Sequence, residues 1–337
     1  MADVLVEDRE EDGFGSLFED RKSSDEDTGD DAEPEPALTE EEYARPTPPL
    51  PSGLSGGTRV MPPTLRLSLV SSRHSLWGHR LWNAALLLAE MVDKDELDVA
   101  GKSVLELGAG AGLPSLICAL KGASKVVISD YATCTDNALM VPIQINIDRV
   151  QPRFVHEDTL HAVGHVWGHA VEDLLAPLRD PHSGDADADA DRGDEGAGRE
   201  NAEEVIACGD AAAASAAGGG GGAAAARAPG KAGFDVVIMA DLLFNRSQHA
   251  QLLETCDRCL RRGPGRGTVW VSFSHHDPEK AELDMKFFAL ASEKGFVAAR
   301  IKTVQMRDIF VENDGMDDLR GEVHLWCLKR RLTPPEP

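Results

Sequence analysis

Three glycines between two apolar segments are the residues most suggestive of chemistry in this sequence. The segment SVLELGAGAGLPSL, residues 103–116, predicts a strand, a tight turn and a helix. Such a turn directs backbone N–H groups and the positive end of the helix dipole at a ligand. Glu106 precedes the glycines, and Asp130 ends the next apolar strand about 20 residues on. A carboxylate there can accept both hydroxyl hydrogens of a ribose, which fits an adenosine ligand without a 2′-phosphate.

The spacing of the glycines argues against two phosphate-binding motifs. A P-loop requires GxxxxGK[ST], and no Lys-Ser or Lys-Thr follows these glycines. The dinucleotide fingerprint is GxGxxG, but here the third glycine comes one position early and Leu113 stands in its place. A GxGxG turn also occurs as a purely structural strand–helix corner. The turn alone therefore does not identify the ligand.

Two further strand ends carry polar residues. Ala240 and Asp241 end the apolar run FDVVIMAD, and ligands of open α/β sheets bind at the carboxyl ends of strands. His275 and His276 end a later run, GTVWVSFSHH. The local sequence offers them no matching acidic or cysteine partners, so we expect neither a metal site nor a catalytic His–Asp dyad.

Apolar periodicity predicts the elements that must position these residues. Strands are predicted at 64–70, 103–107, 125–130, 234–241, 267–274, 297–304 and 322–330, and helices at 75–92, 113–122, 136–150, 248–262 and 277–295. Pro142 is expected near a kink or the start of its helix. Strands and helices alternate until two strands arrive in succession at the end. This order predicts a mostly parallel α/β sheet with helices on both faces and an antiparallel last strand.

The negative charge is concentrated in two segments. Residues 1–60 hold 18 acidic and 5 basic residues, and residues 176–232 hold 11 acidic and 5 basic residues within Ala/Gly/Asp-rich runs. Both have the composition of disordered chain, and together they carry −19 of the formal −24. We therefore expect an acidic tail at 1–60 and one domain at 61–332, interrupted by an insertion at 176–232. The acidity argues against nucleic acid as a partner. Two roles for the acidic segments remain possible: binding a basic protein, or only keeping the chain solvated.

The remaining composition indicates an intracellular chain. No basic segment with a long apolar run opens the sequence, and the most apolar helix, LWNAALLLAEMV, is too short to span a bilayer. Six scattered cysteines are typical of reduced thiols. Cys256 and Cys259 form a CxxC without a second metal-spaced pair, so we interpret them as helix-face residues. We expect a cytoplasmic monomer without metal.

The sequence resembles a known enzyme family. VLELGAGAG followed by an acidic strand end is similar to the first motifs of seven-strand, class I methyltransferases, whose cofactor is S-adenosylmethionine. LWGHRLWNAA, HVWGHAVEDLL and ADLLFNRSQHAQLLETC with downstream SFSHH are similar to methyltransferase family 16. Within it, the resemblance is strongest to methyltransferases of the N-terminal glycine and adjacent lysine of translation elongation factor 1-alpha. It implies a seven-stranded Rossmann-like sheet with a reversed seventh strand.

The resemblance also implies roles for individual residues. The cofactor is expected to contact Trp77, Gly108, Ala109, Gly110, Asp130, Trp167 and Ala240. Asp241 is expected to orient the incoming amine, and Phe244 to wall the methyl-transfer channel. Alternatives remain open: Asp241 as a cap of the following helix, Trp167 and Trp77 as packing aromatics. Trp82 is expected in the core.

Two rival functions remain open at this stage. One is a small-molecule N-methyltransferase acting on nicotinamide or a similar amine, which needs an apolar slot and no deprotonation. The other is a non-catalytic adaptor that keeps the fold. The intact glycine turn and Asp130 argue against the adaptor, because a protein released from cofactor binding need not retain both.

Overall fold

The computed structural model describes residues 37–46, 61–71, 78–179, 233–263, 266–307 and 317–331. The strands are β1 Leu38–Ala44, β2 Thr64–Val70, β3 Ser103–Leu107, β4 Lys125–Asp130, β5 Leu160–Gly164, β6 Val236–Ala240, β7 Thr268–Phe273, β8 Phe296–Gln305 and β9 Glu322–Arg330. The α-helices are α1 Asn83–Asp93, α2 Leu113–Leu120, α3 Met140–Phe154, α4 Glu172–Leu175, α5 His249–Cys259, α6 Ala281–Glu293 and α7 Asp317–Arg320. Short 3₁₀ turns cover Ala176–Leu178, Arg246–Gln248 and Pro278–Lys280.

Seven strands form one sheet in the order β5-β4-β3-β6-β7-β9-β8. The pairs among β5, β4, β3, β6 and β7 are all parallel. Strand β9 runs antiparallel to both of its neighbours, β7 and β8. The predicted seven-stranded sheet with an antiparallel last strand is therefore confirmed, and the last strand lies inside the sheet rather than at its edge.

Both faces of the sheet are buried under helices. Along β3, Val104 joins a cluster with the apolar residues of α1, α2 and α3, whereas Leu105 and Leu107 join a second cluster with those of α5 and α6. Successive side chains of a strand point to opposite faces, so a strand covered on both sides reads as a continuous apolar run. This is why SVLEL and VVIMA show no polar alternation.

The predicted disordered tail contains a strand. Strand β1 pairs antiparallel with β2 from Leu38 to Ala44, although its central sequence TEEE is acidic. Its interior contacts come from Tyr43, which is buried, and from Arg45, which pairs with the fully buried carboxylate of Asp93 in α1. The prediction for 1–60 is wrong at these residues because the stabilising contacts are long-range. The rest of the tail, and residues 180–232 of the predicted insertion, lie outside the described residues.

A buried amide joins the β1–β2 strand pair to the rest of the domain. Asn146 of α3 accepts the N–H of Ser68 at 2.7 Å and donates to the carbonyl of Ser68 at 3.0 Å. It also donates to the carbonyl of Ala111 in the glycine turn, at 3.0 Å. Strand β2, helix α3 and the turn after β3 are thereby held together.

The first long helix is shorter than predicted. It begins at Asn83, after a turn at 78–80, and not at Ser75, because Trp82 is extended (φ −75°, ψ 146°). Pro142 lies in the first turn of α3, as expected for a residue near a helix start. Within the described ranges, no helix has both the length and the apolar character needed to cross a membrane.

Candidate active site

The glycine turn follows β3 and begins helix α2. Gly108 and Gly110 have φ of 59° and 55°, in the left-handed region that favours glycine. A Cβ on Gly108 would lie 2.6 Å from the Leu242 side chain and 3.1 Å from the Trp167 ring, whereas one on Gly110 would meet nothing within 4 Å. Gly108 is therefore required by close packing, and Gly110 faces open space.

The carboxylate of Asp130 is held against this turn. Its Oδ2 accepts the N–H of Gly110 at 2.7 Å, and its Oδ1 accepts the N–H of Tyr131 at 2.7 Å. The residue is only 7% exposed. Each carboxylate oxygen has two lone-pair directions, so each can accept more than one hydrogen bond. The carboxylate is fixed in place beside the cleft.

A second carboxylate lies beneath the turn. Glu106 is completely buried, and its Oε2 accepts the N–H of Ser115 at 3.0 Å, while its Oε1 has no hydrogen-bond partner. Burial raises the pKa of Glu106 to about 8, with a smaller contribution from the charge of Asp130. Glu106 is therefore largely protonated at neutral pH.

The segment after β5 forms a neutral wall of the cleft. His165 and Trp167 both line it, next to Asp130 and Tyr131. Burial lowers the pKa of His165 to about 4, so its imidazole is uncharged at neutral pH. The Nε2 of His165 lies 3.4 Å from the hydroxyl of Thr255, and that hydroxyl also accepts the N–H of Gly168 at 2.8 Å. This wall suits a flat, uncharged ring.

Asp241 follows β6 in a strained conformation and does not cap a helix. Its φ is 61°, a left-handed value that aspartate tolerates better than most residues. Its Oδ1 accepts the N–H of Ser274 at 3.1 Å, and its Oδ2 lies 3.0 Å from the Nε2 of His276. Asn245 and Gln248 occupy the cap positions of the following helical turns. The capping alternative is wrong, because both carboxylate oxygens are bonded to the end of β7.

A histidine–aspartate pair was not expected here, and two are present. His276 pairs with Asp241, and His275 pairs with Asp284 at 2.8 Å. The expectation that these histidines lack acidic partners was wrong because the partners come from β6 and α6, 35 and 9 residues away. Within the described residues, no group of three or more His, Cys, Asp or Glu side chains is arranged to hold a metal ion.

Three rings stack beside Asp241. The imidazole of His276 lies between the rings of Trp82 and Phe244, with centroid distances of 4.9 and 4.8 Å and interplanar angles of 22° and 10°. Trp82 and Phe244 both line the cleft. The core assignment of Trp82 is therefore wrong: with α1 starting at Asn83, Trp82 lies at the helix entrance, half-buried and facing the cleft.

One cleft lies at the carboxyl ends of β3, β4, β5 and β6. It encloses about 880 Å³ including its open mouth. Among the sequence-predicted site residues, it brings together Gly108, Ala109, Gly110, Asp130, Trp167, Ala240, Asp241 and Phe244. Trp77 lies outside the described residues. Cys256 and Cys259 are buried on α5, away from the cleft, with their thiol pKa raised by burial.

Comparisons with known proteins identify the family. The lysine methyltransferase family profile matches residues 63–179. The protein N-terminal and lysine N-methyltransferase efm7 of Schizosaccharomyces pombe is 31% identical over 302 residues, covering 88% of this chain and 94% of the relative. The chain belongs to the family of protein N-terminal and lysine N-methyltransferases. It is therefore an N-methyltransferase.

Other members of this family show a similar degree of relatedness. EFM7 of Gibberella zeae and of Debaryomyces hansenii are each 33% identical, over 82% and 79% of this chain and 86% and 84% of those proteins. Among solved structures, the ribosomal protein L11 methylase of Lactobacillus delbrueckii matches with 12% identity and a TM-score of 0.38, covering 78% of this chain and 83% of that one. That likeness is remote, and the fold description rests on the strand order alone.

Some cleft residues of this N-methyltransferase were missed by sequence reasoning. His165 and Tyr131 line the cleft beside the predicted Trp167 and Asp130, and their positions directly adjacent to those residues were the available signal. Arg80 is the single Lys or Arg among the described lining residues. His276, which contacts the lining residues Asp241 and Phe244, gave no such signal, because its partner Asp241 follows another strand.

Proposed function

We propose that this enzyme transfers methyl groups from S-adenosylmethionine to the N-terminal α-amino group of glycine, and to the adjacent lysine, of translation elongation factor 1-alpha in the cytoplasm. Two observations support the proposal together. The carboxylate of Asp130 is fixed at the glycine turn, in the lining of the cleft, and relatives covering most of the chain are named as N-methyltransferases of protein N-termini and lysines.

The cleft fits the cofactor's chemistry. S-adenosylmethionine has a ribose diol but no phosphate, and the lining residues offer a doubly anchored carboxylate with little basic charge. Asp130 would accept the two ribose hydroxyls, and the open space at Gly110 leaves room for close approach to the backbone. Trp167 would stack on the adenine beside the neutral His165. Gly108, Ala109 and Ala240 would contact the cofactor through backbone, and Trp77 would lie near its methionine end.

The acceptor side of the cleft suits an amine. When bound, the cofactor supplies an electrophilic methyl group on a sulfonium, and attack requires a neutral nitrogen. An α-amino group, with a pKa of about 7.7–8.0, loses its proton far more readily than a lysine side chain at about 10.4. The buried carboxylate of Asp241 would attract the ammonium form and accept hydrogen bonds from the amine, while Phe244 bounds its approach. Alignment of nitrogen and methyl carbon then provides most of the rate enhancement.

The test is methylation of the intact factor. Elongation factor 1-alpha purified from cells lacking this enzyme is incubated with it and labelled S-adenosylmethionine, and the first tryptic peptide is analysed by mass spectrometry. We expect added methyl groups on the terminal nitrogen and the neighbouring lysine. A parallel incubation with nicotinamide examines the small-molecule alternative. Label in nicotinamide with none in the peptide, or label in neither, would refute the proposed substrate.

A further inference from the structure

The carboxylate proposed to receive the amine is itself oriented by a neighbouring strand. Asp241 follows β6, and the two groups bonded to its oxygens, the N–H of Ser274 and the imidazole of His276, follow β7. A carboxylate is acceptor-only, so the Nε2 of His276 carries the hydrogen of the 3.0 Å bond. Asp241 is 4% exposed, and the side chain of His276 is 12% exposed. The bond is therefore shielded from competing water.

The imidazole has little freedom to move. Its two faces are covered by Trp82 at the entrance of α1 and Phe244 after β6. Its backbone carbonyl accepts the Nε–H of Arg320, which is buried, at 3.2 Å. A side chain locked by packing on both faces and by its backbone holds its donor in one direction, as a supporting residue of a preorganised site must.

We propose that His276 is a positioning residue for methyl transfer, acting through Asp241. Its Nε2–H holds the Asp241 carboxylate in the orientation that receives the substrate amine. Without it, the Ser274 N–H is the one hydrogen-bond donor left to the carboxylate among the described residues, and the carboxylate can rotate about its side-chain torsions. A misplacement of about 1 Å at a reacting group can cost about 100-fold in rate. The inference rests on the proposed function, because it presumes that Asp241 faces an amine.

Three substitutions separate the hydrogen bond from the ring stack. His276→Phe keeps a ring between Trp82 and Phe244 but removes the donor. His276→Gln removes the ring but places an amide N–H near the position of Nε2, and His276→Asn places its amide too short to reach Asp241. His275→Phe is the matched control, since it breaks the equivalent pair with Asp284, whose other oxygen still accepts the Nε–H of Arg246.

The assay is steady-state methylation of a peptide carrying the N-terminus of elongation factor 1-alpha, at saturating cofactor. We expect kcat to fall about 10- to 100-fold in His276→Phe and in His276→Asn, with KM and the cofactor Kd changing less than about threefold. We expect His276→Gln to stay within a few-fold of the wild type and His275→Phe to be unaffected. The double variant Asp241→Asn/His276→Phe should be no slower than Asp241→Asn alone, because His276 acts only through that carboxylate.

Several results would overturn the inference. They are a wild-type kcat in His276→Phe, equal kcat values in the Gln and Asn variants, and additive losses in the double variant. If His276→Phe does not fold, the comparison of kcat between His276→Gln and His276→Asn tests the inference, since both variants lack the ring and differ in whether the amide reaches Asp241. If the wild type leaves the peptide unmethylated, the proposed substrate is wrong. The same variants are then compared on whichever protein the wild type labels in a cell extract.

Discussion

Replacing Asp130 by asparagine perturbs the cleft with little change in shape. The carboxylate accepts the N–H groups of Gly110 and Tyr131, both at 2.7 Å, and each of its oxygens has a second lone-pair direction through which it would accept a hydroxyl of the ribose diol. An amide has only one oxygen, so its NH₂ group must face one of these backbone donors and cannot accept from one hydroxyl. The variant therefore loses one charge-assisted hydrogen bond to the ligand and weakens the other.

The expected magnitude follows from these bonds. A hydrogen bond to a charged group contributes about 1.5–3 kcal/mol. Losing one and weakening another predicts a loss of about 2–4 kcal/mol in binding free energy, a rise of roughly 30- to 700-fold in Kd. Asp130→Ala should exceed this, since no acceptor remains. The matched control is Asp98→Asn, because Asp98 also accepts a backbone N–H, from Ala100 at 3.2 Å, but its side chain is 71% exposed.

Isothermal titration with S-adenosylhomocysteine measures the effect, with thermal unfolding of the unliganded proteins measured in parallel. We expect Asp98→Asn to bind like the wild type and Asp130→Asn to bind at least about 30-fold more weakly. A Kd within threefold of the wild type in a well-folded Asp130→Asn protein would refute the ribose assignment. Weaker binding in both variants would instead indicate a nonspecific electrostatic effect.

Three further predictions concern the surrounding structure. Gly108→Ala places a Cβ 2.6 Å from the Leu242 side chain and should lower the free energy of unfolding by about 1–3 kcal/mol more than the control Gly101→Ala, whose Cβ meets nothing within 4 Å. Equal melting temperatures of the two variants would contradict this. Because the pKa of Glu106 rises from 4.5 to about 8, the folded protein holds a proton between these pH values that the unfolded chain has released, and stability falls as pH rises. In urea unfolding from pH 5 to 8, the free energy of unfolding of Glu106→Gln should rise relative to that of the wild type as pH increases. A difference between the two proteins that stays constant over this range would refute the raised pKa of Glu106. Arg45→Met removes the guanidinium that pairs with the buried Asp93 carboxylate and should lower the free energy of unfolding in urea by about 3–5 kcal/mol. Adding Asp93→Leu should restore most of this stability, and a double variant as unstable as Arg45→Met would contradict the prediction.

The features predicted correctly from sequence depend on short-range pattern. Apolar runs of strand length alternating with helical periodicity determine the parallel sheet, and two consecutive terminal strands determine its reversed strand. The glycine turn and Asp130 are close because adjacent parallel strands bring their carboxyl ends together, and β3 and β4 are consecutive in the chain. Even the bonding of Asp130 to Gly110 follows from this arrangement.

The wrong predictions for β1 and for His276 involve partners brought together by distant parts of the chain. Strand β1 is acidic and has no alternating apolar pattern, so only its pairing with β2 and the buried Arg45–Asp93 pair reveal it. Trp82 was assigned to the core because the preceding residues read as helix, whereas the extended backbone at its position turns it to the cleft. A local pattern contains no information about which residues meet across a sheet.

By itself, the sequence determined that this chain folds as a mostly parallel α/β sheet with a reversed strand, and where along it the glycine turn lies, because both follow from periodicity and from residues close in the chain. Only the tertiary structure decided that Asp241 bonds to His276 and not to a following helix. The register of β6 against β7 places Ala240 opposite Ser272, and so sets the residues that follow both strands side by side. Hydrogen bonds between side chains are directional over about 3 Å, and that precision exists only once the sheet has formed.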